Sequence, residues 1–132
     1  MNRRIVRIAL LGAAAGAIPL TGSAHHSFAS EFDRDQPFEI AGTVTEVVWT
    51  NPHGRVHVDV EENGEIVTYD LELPAVAALM RQGWSRNDLK PGDRVTATGH
   101  RARNRPHVGR ATRISLDNGE AVFIGGTRGD DE

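Results

Sequence analysis

Apolar residues fall on alternate positions through much of the stretch 38–124, and that period of two predicts strands. Phe38, Ile40 and Val44 lead into Val47 and Trp49, and the alternation survives only if one extra residue sits near Glu46, which predicts a β-bulge in a bent strand. Asn51-Pro52 interrupts that strand. Val56, Val58 and Val60 then alternate with Arg55, His57 and Asp59, giving a half-buried strand with one polar face. Asn63-Gly64 has the composition of a tight hairpin turn, and Val67, Tyr69, Leu71 and Leu73 form the inward set of a third strand. Pro74 opens and Gly83 closes a short helix, with Val76, Leu79 and Met80 predicted on one face. Ser85 and Asp88 resemble a capping box that starts a further helical turn. Lys90-Pro91-Gly92-Asp93 reads as a type II turn. Strands follow at 94–100 and 108–116, and Asn118-Gly119 turns the chain into a last short strand, 121–124.

The pattern predicts a mainly β protein, a small OB-like Greek-key barrel of five to six strands with one short helix between strands 3 and 4. Another small β-sandwich is the rival. The barrel domain spans 38–124. Residues 25–37 show no period and read as an N-terminal arm pinned by Phe28 and Phe32, while 125–132 is Gly-rich and acidic and is expected to be a disordered tail.

Residues 1–24 read differently. Arg3, Arg4 and Arg7 precede an apolar run from Ile8 to Leu20, and Gly22-Ser23-Ala24 supplies small residues at a cleavage point, the layout of a secretory signal peptide. The run is too short for a membrane span, which needs about 20 apolar residues. A periplasmic or secreted protein without an integral membrane segment is expected. The Arg3-Arg4 pair fits an ordinary basic leader better than twin-arginine export, because Asn2 precedes it and Arg7 falls where an apolar residue is usual.

Loss of the three leader arginines leaves 12 basic against 18 acidic residues, a formal net of −6 instead of −3. That balance opposes a nucleic-acid partner. Cysteine is absent, which excludes a disulfide framework, a thiolate nucleophile and a thiolate metal site.

Several motifs in one order carry a resemblance: His25-His26-Ser27-Phe28-Ala29, Gly42-Thr43-Val44-Thr45-Glu46-Val47, Trp49-Thr50-Asn51-Pro52-His53, Gly83-Trp84-Ser85-Arg86 and Leu89-Lys90-Pro91-Gly92-Asp93. Together they resemble a family of small exported bacterial proteins classed as a domain of unknown function. The resemblance implies export and a single domain, and brings no activity with it. The family pattern has an apolar or aromatic pair after Asn-Pro-His, where this chain has Gly54-Arg55.

Cleavage after Ala24 would make His25-His26 the mature N-terminus. An α-amine and the imidazole of His25 chelate copper(II) as one unit, and a third imidazole completes a T-shaped set that suits the ion's tetragonal preference. The arrangement is similar to the histidine brace of lytic polysaccharide monooxygenases and periplasmic copper carriers. A second arrangement uses the amine, the intervening amide nitrogen and His26. His53 is the first choice for the remote ligand, because Asn51-Pro52 would hold it at a strand end. His57 would lie about 13 Å further along a straight strand, four residues at roughly 3.3 Å each. His100 and His107 flank Arg101, Arg103 and Arg105 and read as parts of a solvated basic loop. The plain alternative is a frayed terminus, with His53 only bonding its own loop. Zinc is disfavoured, since no two histidines lie at His-x-x-x-His spacing on a predicted helix.

Other chemistry finds less support. Ser27, Ser30, Ser85 and Ser115 lie outside any Gly-x-Ser-x-Gly elbow, and Glu61-Glu62 reads as solvated charge at a hairpin. Arg55, His57 and Asp59 form a candidate ligand face on the second strand, where OB barrels often bind. The expectation is a non-enzymatic binding or carrier protein with copper as the leading ligand. The alternative is a metal-free structural or interaction module with an envelope protein partner.

Overall fold

A computed structural model describes residues 31–125. Six strands follow one another as β1 (Phe32–Val48), β2 (Arg55–Glu62), β3 (Glu65–Glu72), β4 (Arg94–Ala102), β5 (Arg105–Leu116) and β6 (Ala121–Ile124), with one helix, α1 (Val76–Arg81), between β3 and β4. The sheet runs β3-β2-β1-β4-β5-β6, and a parallel pairing of β3 with β5 closes the first five strands into a barrel. β6 adds to β5 outside that ring. This is the OB topology that the alternation predicts.

The bulge falls where the apolar pattern slips: Val44 pairs with Val58 and Glu46 with His57, so Thr45 is the extra residue. One strand can then serve both sides of the barrel, pairing with β4 up to Thr43 and with β2 from Thr43 onward. The β2–β3 turn has Asn63 and Gly64 both at positive φ (53° and 84°), the primed geometry that matches strand twist. Gly92 (φ 96°) and the Asp93 N–H donating to Lys90 O at 3.1 Å give the type II turn its form. Inward residues meet as one core, with Val56, Val58, Leu71, Ala97 and Ile114 fully buried.

The helix closes the barrel end reached by the last residues of β1 and β3. Leu79 is buried there, and the Gly54 and Leu73 backbones bond the β1–β2 loop to the strand that precedes the helix. Trp49, Trp84 and Leu89 pack against this end of the core, with Trp84 edge-on to Phe123 at 6.1 Å.

Four expectations change. Met80 is 62% exposed, because a helix of under two turns can point only a narrow stripe inward, and Leu79 fills it. Ser85 and Asp88 make one of the two bonds of a capping box (Ser85 N–H to Asp88 Oδ2, 2.7 Å), but the Ser85 hydroxyl donates to Asp88 Oδ1 (2.9 Å) while the Asp88 N–H donates to Ser85 O (3.2 Å), and only a turn follows because Pro91 blocks helix growth. Six residues assigned to the arm, 32–37, belong to β1, whose register breaks between Phe32 and Pro37 and so hides the period. Finally, β4 and β5 reach Ala102 and Arg105, so the basic segment is a two-residue turn between strands instead of a loop. The predicted signal peptide, Phe28, His25, His26 and all of the predicted tail except Gly125 lie outside the described residues.

Candidate functional site

The polar face of β2 is built by register. His57 pairs across with Glu46 on β1 and with Asp70 on β3, while Arg55 pairs with Glu72, which in turn pairs with Arg110 on β5. Side chains directly opposite on neighbouring strands touch, so opposite charges placed in register become ion pairs. Two rows of alternating charge result.

In the first row His57 Nδ1 lies 3.2 Å from Glu46 Oε2, and its Nε2 lies 3.5 Å from Asp70 Oδ1. Both ring nitrogens face carboxylates, so His57 has no free lone pair aimed at a ligand. In the second row Arg55 donates to both Asp70 oxygens, Nε to Oδ1 at 2.8 Å and Nη2 to Oδ2 at 2.7 Å. That forked bond holds the guanidinium pKa above its ordinary value, with burial opposing. Glu72 is only 7% exposed and is ringed by Arg55 (3.9 Å), Arg110 (3.6 Å) and His53 (3.4 Å).

His53 stands in the β1–β2 loop. Its Nδ1 meets both Leu73 O at 3.3 Å and Glu72 Oε1 at 3.4 Å, two acceptors, which favours the proton on that nitrogen and leaves the lone pair on Nε2. The predicted ligand face is thus partly assembled: Arg55, His57 and His53 join one network. Asp59 stands apart, accepting from Thr68 Oγ1 at 2.6 Å. Asp70, Glu72, Arg110 and Glu46 were missed. Their signal was present in the alternation, since each lies on the outward face of its own strand, but only register shows which charges meet.

A second polar cluster lies at the opposite end of the barrel from α1. Tyr69 is buried, and its hydroxyl donates to Glu62 Oε1 at 2.5 Å while accepting from Arg101 Nη1 at 3.2 Å. Burial first, and the Glu62 bond second, push the phenol pKa above its ordinary value. Arg101 also donates to Pro106 O at 2.6 Å and lies over the Tyr69 and Phe38 rings. His107 sets its ring edge-on to Tyr69 at 5.2 Å, and Glu62 is a half-buried acceptor, not the solvated charge expected at that hairpin.

Among the described residues no group of three or more His, Asp or Glu side chains is placed to hold a metal. No described helix is long and apolar enough to cross a membrane.

Fold and face define a small OB-type barrel with a charged strand surface. The chain belongs to DUF6152, a family of unknown function, whose pattern matches residues 13–111. No curated protein and no solved structure matches it.

Proposed function

We propose that this chain is exported, processed after Ala24, and acts as a small binding or carrier domain that takes copper at its mature N-terminus. His25 and His26 supply the amine and imidazole nitrogens, and a histidine of the barrel supplies the next ligand. The observation that supports this reading is how the start of β1 is fastened. Phe32 is buried and pairs with Ala102, Glu31 O accepts from Arg103 N–H at 3.0 Å, and Glu31 Oε1 pairs with Arg105 Nη2 at 2.8 Å. A His25 terminus would therefore leave a fixed point only six residues away. An anchored arm loses less entropy on closing a chelate than a free one.

Mass spectrometry of the exported protein should give His25 as its first residue. Copper(II) should then bind that chain far more tightly than its Nα-acetylated form, in which no free amine is left to chelate. Equal affinity in the two forms would discard the reading.

A second reading has its own observation. The alternating rows of Glu46, His57, Asp70, Arg55, Glu72 and Arg110 form a patterned outer face that suits an envelope protein with complementary charges. Exchanging Arg55 and Asp70 for one another keeps the internal pair but inverts the pattern. Loss of a partner's binding in that swapped protein, with copper affinity intact, would favour the metal-free module.

A further inference from the structure

Independently of the copper reading, we propose that the hollow at the α1 end of the barrel binds a short aliphatic carboxylate, with the hydrocarbon chain inside and the acid group on Arg86.

The hollow follows from how this end is closed. The helix is six residues long and buries one side chain, Leu79, so it covers less than the full width of the barrel. Leu79, Val56 and Ile114, all buried, make the floor of the space that is left, and the half-buried Trp49, Trp84 and Leu89 make its walls. Counted out to its open mouth the hollow measures about 370 Å³, and its lining is almost wholly apolar. Only a small part of that volume is enclosed, which suits the end of one hydrocarbon chain and not a fused ring system. An apolar recess with a few polar groups to fix orientation is the usual form of a small-molecule site.

The polar groups come from one segment, as Ser85, Arg86 and Asp88. Two of the three are occupied with each other. Asp88 takes the Ser85 N–H on Oδ2 at 2.7 Å and the Ser85 hydroxyl on Oδ1 at 2.9 Å, and Ser85 Oγ also accepts from the Asn87 N–H at 3.3 Å. Those bonds hold the backbone on either side of Arg86. The Arg86 side chain is exposed and has no ion-pair or hydrogen-bond partner among the described residues. A planar fork of N–H donors beside an apolar space selects a ligand with a carboxylate at one end and hydrocarbon at the other.

The test adds sodium butanoate, hexanoate and octanoate, and the matching primary alcohols, to 15N-labelled protein and follows the indole N–H signals of Trp49 and Trp84. These are the chain's two tryptophans, so both signals report on the hollow. Both should move, while backbone amides around Tyr69 at the opposite mouth stay in place. Affinity should rise about fourfold for each added methylene until the chain outgrows the space. Arg86→Gln should weaken hexanoate about threefold and leave hexanol unchanged. Val47→Phe, which puts a ring into the same space, should abolish binding of both probes, with circular dichroism confirming its fold. If neither indole signal moves with any acid or alcohol, there is no site. Hexanoate binding that Arg86→Gln leaves unchanged overturns the carboxylate assignment. Indole signals that shift with protein concentration before any probe is added give the hollow to a second copy of the chain, and the proposal falls.

Discussion

The ring of Phe38 occupies the place that a Cβ on Gly109 would take, with Cε1 2.5 Å from that position. Gly109→Ala must therefore displace an aromatic ring in a packed core. A stability loss of about 1–3 kcal/mol is expected by urea denaturation. Combining it with Phe38→Leu should cost less than the sum of the two single changes, since the smaller side chain vacates the contested space.

The plug at the α1 end makes a contrast between neighbours. Leu79→Ala opens a cavity beneath Trp49 and Trp84 and should cost about 2–5 kcal/mol. Met80→Ala, one residue on but exposed, should stay within about 0.5 kcal/mol. Similar losses in the two would mean that the helix buries a different face in solution.

Glu72 holds two arginines apart. Glu72→Ala removes the carboxylate that stands on β3 between Arg55 of β2, which keeps its fork to Asp70, and Arg110 of β5, and a loss of about 2 kcal/mol is expected. Glu72→Ala with Arg110→Leu should recover part of that loss; a double variant no better than the single one would show that the arginines do not repel.

Tyr69 links stability to alkaline pH. Its phenol titrates above the ordinary value in the folded chain because burial and the Glu62 bond favour the neutral form. The stabilisation is complete below the unfolded phenol value, about 10, and is lost as pH rises through the folded one. Thermal melts between pH 8 and 11.5 should show wild-type Tm falling at the alkaline end. Tyr69→Phe should start lower and lack that fall, and a parallel decline in both proteins would assign it elsewhere.

Asp33 gives the opposite sign. The Asp35 N–H first, then Gln36 and the charge of Arg103, hold its carboxyl below the ordinary range. Its contribution is present above about 3.8 and lost as pH falls through the folded value. Asp33→Asn should reduce the acid sensitivity of the β1 start, read by hydrogen exchange at Phe32 and Arg103.

The barrel was readable because its strands carry their inward residues at period two and its turns carry Gly, Asn and Pro at positions that demand them. Even the bulge at Thr45 showed, as a slip in the apolar order. The charged ladder did not. Glu46, Asp70 and Arg110 look like ordinary solvent-facing residues along the chain, and their meeting depends on pairings between segments tens of residues apart. The basic segment misled for a local reason: Arg101 and His107 are polar by composition, yet their apolar and ring surfaces pack on Tyr69. Long polar side chains that bury their stems defeat a binary apolar and polar code. The start of β1 was hidden because its register breaks just before Pro37.

The pairing of β1 with β4 has a consequence for the order of assembly. Between them lie the β2–β3 hairpin, the helix and the turn at Gly92, so Phe38 and Ile40 find their cover only after residues 94–102 are free to dock. A chain delivered from its N-terminus would carry a sticky, half-covered first strand until its second half arrived. Folding that waits on such distant contacts is slow, and shielding of that strand in the interval becomes a task for whatever holds the nascent polypeptide.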